Sequence, residues 1–429
     1  MSWCDRTQLD PPEQPRRPVS YQAHRPLAFW TAPPAPRTVN QTSANPLRIL
    51  ILGASVRAAA ESADRAGLEV IGIDLFADAD LRARFQAHRI PPETYPFGLA
   101  EVASGLPHAP WFYTGALENH PELVARVACS RPLWGNDDQV LRAVRDPLRW
   151  TSALTEAGFP CPRVETNGNR LTSDVEWLAK PLASAGGTSV RRVVSGTPGL
   201  SVPHYYQERI DGLSLSALFL GAGERTRLEG VTRQILGRAG SEFAYLGSIG
   251  PWPLPPAVLE RVEAMGHVLA NRFHLKGLFG VDFQLNGEHP WPVEINPRYT
   301  ASVEVLELAQ QRSLLLGHRA LFDPAIPFPA PWPQGQTSRV VGKLILFATA
   351  PCRFPDYTRP RAIHPDRFHL PTLADRPEPG TPSETGAPIT TLFASGESLH
   401  ACAERLERKQ QRWLHWLSQR KPPNLIKTN

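Results

Sequence analysis

Residues 280–298, GVDFQLNGEHPWPVEINPR, constrain the fold more than any other stretch of this 429-residue chain. Val281, Phe283 and Leu285 alternate with Gly280, Asp282 and Gln284, the period-2 signature of a half-buried strand. PVEIN repeats the alternation, placing Glu294 and Asn296 on one face and Val293 and Ile295 on the other. Between them NGEHP reads as a turn centred on Glu288. Opposed residues of an antiparallel hairpin keep a constant index sum, so this turn sets Asp282 opposite Glu294. Asp282, Glu294 and Asn296 then present oxygen donors on one face. Such hard donors suit Mg²⁺ shared between protein and phosphate, with Mn²⁺ as the other candidate. Arg298, two residues on, adds a fixed cation for a phosphate or a carboxylate. Spacing alone also allows an ordinary hairpin with a solvated polar face.

A chain of this length exceeds one core and predicts two to three domains. Its 41% hydrophobic and 20% charged content is that of a globular protein. The net charge of +5 creates no strong field, which gives nucleic-acid binding no support. The five cysteines are scattered without a CxxC pair, which argues against a zinc knuckle or a disulfide framework. No apolar run approaches the ~18 residues needed to span a membrane. The N-terminus lacks an apolar signal segment, so a cytoplasmic location is expected. Residues 1–46 carry nine prolines and few aliphatics, and read as a Pro-rich flexible arm.

Folded structure is expected from residue 47. RILIL is a buried strand, Gly53 its turn, 55–66 an Ala-rich helix closed by Gly67, and 68–74 a second strand. Asp74 ends that strand where a dinucleotide-binding acid would stand, but the G-x-G-x-x-G fingerprint is missing. Asp74, Asp78 and Asp80 are expected to be solvated loop residues rather than catalytic ones, although they stand at the carboxyl end of a strand, where ligands bind in open α/β sheets. Gly115 and the Gly135-Asn136-Asp137 turn mark further strand exits. Residues 177–181, WLAKP, form a strand ending in Lys180, followed by Ser184-Ala185-Gly186-Gly187-Thr188-Ser189. Small residues let backbone N–H groups close around phosphate oxygens, and the lysine adds a point charge. The loop is no Walker A motif. Residues 228–252 predict a strand and a loop, 259–273 an amphipathic helix burying Val262, Met265, Val268 and Leu269. Beyond 339, two strands and a helix over 399–419 are expected, with Leu406, Trp413, Leu414 and Leu417 as core.

The run Glu294-Ile295-Asn296-Pro297-Arg298 after a strand bearing Asp282 resembles the metal-binding hairpin of the ATP-grasp superfamily. Tyr299 to Glu304 is similar to the branch that joins carboxylates to amines, and the nearest resemblance is to tyramine–glutamate ligase-like proteins of methanofuran and C1 metabolism. The resemblance implies an α/β fold in four parts. These are a Rossmann-like domain over 47–145, an ATP-grasp domain of two α+β subdomains over 146–335, a small C-terminal α+β subdomain over 336–420, and a tail over 421–429. ATP and Mg²⁺ are the implied cofactors. Lys180, Gly186, Gly187, Thr188 and Ser189 would hold phosphate. Glu208, Arg209 and Ile210 would form the adenine hinge, and Ser214 would meet the ribose. Asp282, Glu294 and Asn296 would bind metal, while Lys180 and Arg298 would be catalytic. Arg233, Gln234 and Tyr245 would line the acceptor pocket, and Glu304 is either a base for the amine or a helix-start carboxylate. Relatives often carry Asp-Lys where this chain has Asp146-Pro147, so Arg145 or Arg149 is the candidate replacement cation.

The implied activity activates a carboxylate, an amino acid such as glutamate being one candidate, as an acyl phosphate for attack by an amine. Its partners would be small molecules, not nucleic acid or membrane, with a homodimer as the assembly to test. A biotin carboxylase-like enzyme and a catalytically weak ATP-binding scaffold are the alternatives.

Overall fold

The computed structural model describes residues 46–193, 200–331, 339–356 and 364–419; residues 1–45 of the expected arm and the 421–429 tail lie outside the described residues. Arg48–Gly53, almost wholly apolar, is one of the two inner strands of a four-stranded parallel sheet. The spatial order is Gln86–Arg89, Glu69–Asp74, Arg48–Gly53 and Trp111–Tyr113. Strands buried on both faces need continuous apolar runs, and RILIL supplies one. The first helix is Arg57–Arg65, shorter at both ends than the expected 55–66.

The loop aspartates are not solvated as expected. Asp74 is buried, and its carboxylate accepts the backbone N–H groups of Val56 (2.6 Å), Phe76 (2.7 Å) and Ala77 (2.6 Å). Burial pushes its carboxyl up to about 6 despite those donors. Asp80, also buried, accepts from the backbone of Asp375 and Arg376 at 3.0 Å each, tying this domain to the C-terminal part of the chain. Their oxygens are spent on the backbone.

The second sheet has eight antiparallel strands. In spatial order these are His289–Asn296, Lys276–Asn286, Leu213–Ala222, Arg227–Arg238, Ser241–Gly250, Val340–Phe347, Pro388–Gly396 and Leu373–Ala374. Residues 228–252, expected as one strand and a loop, belong to two paired strands instead. Helix Pro256–Phe273 lays Val262, Met265 and Leu269 into the largest core, against the stacked rings of Phe219 and Phe279. Val340–Phe347 pairs with Ser241–Gly250, so the expected C-terminal subdomain extends this same sheet. Helix Leu399–Ser418 covers the far end through buried Cys402, Ala403 and Leu406. A smaller four-stranded sheet, ordered Val164–Glu165, His204–Glu208, Trp177–Pro181 and Arg191–Arg192, stands beside the hairpin edge. Among the described residues no helix is long and apolar enough to cross a membrane.

Candidate active site between the two antiparallel sheets

Asp282 does face Glu294, though by a different route from the one spacing suggests. The turn pairs Asn286 with His289, leaving only Gly287 and Glu288 between the strands, and Gly287 takes the positive φ (+58°) such a turn demands. Pairing from there to Phe283–Pro292 runs one index short. A bulge then adds Val293 and restores the expected register. Val293 consequently lines the cavity, where the alternation placed it with Ile295 in the core. Its carbonyl accepts from Lys180 Nζ (3.0 Å) and from Gln207 Nε2 (3.3 Å).

The cavity measures about 400 Å³, within the range of small-ligand sites. Asp282 is half-buried there among the side chains of Ser216 and Gln234, and Asn296 Nδ2 donates to its Oδ2 (3.2 Å). Burial first, and the facing Glu294 charge second, push the Asp282 carboxyl up to about 6. Two carboxylates set against each other at a half-buried edge form a donor pair that a divalent cation would neutralise. Among the described residues no three His, Cys, Asp or Glu side chains are grouped for a metal. A cation here would take two carboxylates, an amide and oxygens of its ligand or of water, a donor set that fits Mg²⁺.

Lys180 reaches this edge from the smaller sheet, and its Nζ also donates to Gln207 Oε1 (3.1 Å). Gly186 and Gly187 follow, both with positive φ (+66° and +67°). A Cβ on Gly187 would lie 2.1 Å from the Phe243 carbonyl oxygen, so only glycine lets the loop lie on strand Ser241–Gly250. Gly186 and Gly187 line the cavity; Thr188 and Ser189 are exposed and lie off its wall. Glu208, Arg209, Ile210 and Ser214 line the same cavity. Glu208 accepts from the backbone (3.1 Å) and Nε (3.2 Å) of Arg163, while Arg209 is held by Glu176 and Asp211, both at 2.6 Å. The Ser214 hydroxyl donates to Gln234 Oε1 (2.8 Å).

Arg298 meets a residue that spacing did not point to. Its Nη2 donates to Glu118 Oε1 at 2.6 Å and to Asn296 Oδ1 at 3.0 Å. Burial would raise the Glu118 carboxyl, but the Arg298 guanidinium holds it below the usual carboxylate range. Glu118 follows Gly115, and a Cβ on Gly115 would stand 3.3 Å from the Arg298 guanidinium carbon. A glycine at the carboxyl end of a parallel strand was the available signal, because ligands in open α/β sheets gather there. Gln207 and Ser216 gave none.

The two candidate cations separate. Arg145 Nη1 donates to Glu294 Oε1 (3.2 Å) and its Nη2 to the Leu182 carbonyl (2.6 Å). Arg149 is exposed, its backbone N–H capped by Asp146. Asp146-Pro147 is thus an N-cap followed by a proline at the first helical position of Pro147–Glu156. Of the expected acceptor-pocket residues, Gln234 and Tyr245 line the cavity; the Arg233 guanidinium lies over the Trp252 ring and is not part of the wall. Glu304 also lies off the cavity wall, paired with Arg57 and Lys343. Burial would raise it, but those two cations hold it far below the carboxylate range, which makes it a poor base.

Residues 144–302 match the family described as the ATP-grasp domain. The fold is the ATP-grasp fold. The pyruvate carboxylase of Rhizobium etli superposes on 85% of this chain with a TM-score of 0.66 at 14% identity, and this chain spans only 37% of that protein. An L-amino acid ligase from Bacillus licheniformis superposes with a TM-score of 0.60 at 15% identity, covering 85% of this chain and 97% of its own. An uncharacterized protein of Methanocaldococcus jannaschii is 25% identical over 296 residues, 63% of this chain and 73% of its own length. The ATP-grasp match starts at residue 144 and ends at 302, so it contains the expected nucleotide, metal and Arg298 residues but leaves Glu304 and Glu118 outside.

Proposed function

We propose that this chain is an ATP- and Mg²⁺-dependent ligase that joins a carboxylate to an amine. One observation carries the reading: Asp282, Glu294, Lys180 and Arg298 reach a single cavity from separate strands and loops. Mg²⁺ held by Asp282, Glu294 and Asn296, with Mn²⁺ served by the same donors, would neutralise the charge of the triphosphate. Lys180 and the backbone of Gly186 and Gly187 hold its phosphates; Thr188 and Ser189, off the wall, have no part in this. Glu208 accepts from the adenine amino group, Ile210 offers its backbone N–H, Arg209 stays anchored outside the base, and Ser214 meets the ribose.

In the first step a carboxylate oxygen attacks the γ-phosphorus. The bond from that phosphorus to the bridging oxygen breaks, and ADP leaves with the electron pair. In the second, the amine nitrogen attacks the acyl carbon and loses a proton, and inorganic phosphate leaves. Arg298 faces the oxygen on which charge develops between those events. An amino acid such as glutamate is the proposed carboxylate, a choice supported by the likeness to an L-amino acid ligase. The resemblance to tyramine–glutamate ligase-like proteins belongs to this proposal alone, since the archaeal relative has no assigned activity.

The test is a screen of acids against amines for ADP release. ADP formation that requires both an acid and an amine is the expected result. The likeness to a carboxylase supports one rival, which ADP release dependent on bicarbonate alone would single out. ATP binding without ADP formation across the screen would reduce the protein to a binder.

A further inference from the structure

Three polar atoms in the cavity wall are buried and have no hydrogen-bond partner: Glu118 Oε2, Arg298 Nε and Thr300 Oγ1. Glu118 is 2% exposed and Thr300 7%. Buried polar groups are nearly always paired, and a lone one costs about 1–3 kcal/mol. Glu118 and Arg298 are in contact and Thr300 stands two residues from Arg298, so this part of the wall is where a ligand or an ordered water would complete the bonding. Ala116, two residues before Glu118, is held in the left-handed region (φ 79°), a strained conformation for alanine that brings Glu118 to the wall.

The chemistry of the corner is specific. Glu118 Oε2 accepts only, Arg298 Nε–H donates only, and the Thr300 hydroxyl does either. Glu118 and Arg298 already touch through their other atoms, so the pair is neutral as it stands. A ligand that adds only a carboxylate would leave this corner with one uncompensated negative charge, close to Asp282 and Glu294. A ligand carrying an ammonium one carbon away from its carboxylate adds no net charge and places each head against its complement.

We propose that Glu118 is a specificity-determining residue that binds the ammonium group of an α-amino acid, whose carboxylate is set against Arg298 and Thr300. The proposal rests on the ligase reading above and narrows its acid substrate to zwitterions. It also assigns a binding role to the N-terminal domain, outside the residues matched to the ATP-grasp family.

The experiment keeps the two readings apart by using hydroxylamine as the nucleophile. Its nitrogen attacks the acyl phosphate carbon, phosphate departs with the electron pair, nitrogen loses a proton, and the hydroxamate is counted as its coloured complex with added iron(III). The standard L-amino acids are compared with their deamino counterparts. At least one amino acid should give hydroxamate, with kcat/KM at least ~100-fold above its deamino analogue, as expected where buried groups are left unpaired by the analogue. Glu118→Gln should shrink that ratio to about tenfold or less by raising KM for the amino acid, with ATP affinity unchanged. If Glu118→Gln does not fold, Thr300→Val, read for KM of the amino acid, replaces it alongside the wild-type comparison. A deamino acid that matches its amino acid in the wild-type protein overturns the ammonium proposal and leaves the ligase intact. Hydroxamate from no acid at all overturns the ligase reading and this proposal with it.

Discussion

Two buried polar clusters lie within a few residues of each other, and they are built on opposite terms. Around Arg57 every partner is supplied by the protein. Its guanidinium pairs with Glu304, Asp375 (2.8 Å) and Glu61 (3.4 Å), and Glu304 is paired again by Lys343 (3.1 Å). No side-chain atom of these five residues is buried without a partner. Around Arg298 the protein stops short: Arg298, Glu118, Thr300 and Arg145 each keep a buried atom unpaired, and Asp282 faces a second carboxylate. Burial and charge alone do not tell a structural cluster from a chemical one. Completeness of pairing separates these two clusters, although buried atoms such as Trp111 Nε1 and Thr226 Oγ1 are also unpaired away from the cavity.

Removal of one member should therefore hurt different properties. Glu294→Ala is expected to take turnover to the detection floor, at least ~10⁴-fold, by removing the carboxylate that faces Asp282. Unfolding free energy should change by less than about 1 kcal/mol, since Glu294 and its partner Arg145 are only partly buried. Near-normal ADP formation in this variant would show that the hairpin is not a metal site. Asp282→Ala and Asn296→Ala should weaken Mg²⁺ dependence by less. Arg57→Ala should do the reverse and cost about 3–5 kcal/mol in denaturant unfolding, because three carboxylates are left facing one another in the interior. A loss below about 1 kcal/mol would dissolve the contrast.

Within the site, Lys180→Met and Arg298→Met should differ from each other. The first weakens ATP binding, measured by calorimetry, and slows every step. The second keeps ATP affinity and loses about 2–4 kcal/mol in single-turnover rate. Equal losses of ATP affinity would make Arg298 another phosphate ligand. The smallest effect belongs to His318, a fully satisfied residue at the seam between the domains. Its Nδ1 accepts from the Leu278 N–H (2.9 Å) and its Nε2 donates to the Trp134 carbonyl (3.0 Å), so the ring must stay neutral. Burial pushes its pKa down to about 4. Its contribution is present above the unfolded value of about 6.5 and is lost as pH falls towards 4. Between pH 6.5 and 5.5 the stability gap to His318→Gln should move by about 1 kcal/mol in favour of the variant. An unchanged gap would mean that the imidazole charges without penalty.

What could be read from sequence was whatever lies within one element. The alternation of 280–296 announced the hairpin, and the small residues after Lys180 announced the loop. The bulge stayed hidden, although its cause is visible. Pro290 and Pro292 cannot donate to a ladder, and they sit on an edge strand where the pairing slips immediately after Pro292. Contacts between distant segments were beyond reach. Glu118 meets Arg298 across 180 residues, and Arg57 meets Glu304 across 247, separations at which no periodicity carries information. The same limit explains Glu304, whose helix-start position was legible and whose partners were not.

The order of strands in the larger sheet also sets a timetable. Ser241–Gly250, the strand on which the Gly186-Gly187 loop rests, has its second neighbour in Val340–Phe347. During synthesis that neighbour follows roughly a hundred residues later, about 5–20 s at ribosomal rates. For that interval Gly247–Gly250, the end of that strand beyond cavity-lining Tyr245, is an open edge of unpaired backbone, the kind of surface that recruits a foreign strand. The strand behind the Gly186-Gly187 loop is thus among the last parts of the sheet to be sealed, so crowding and chaperone supply act on the yield of active protein at that moment more than on the finished fold.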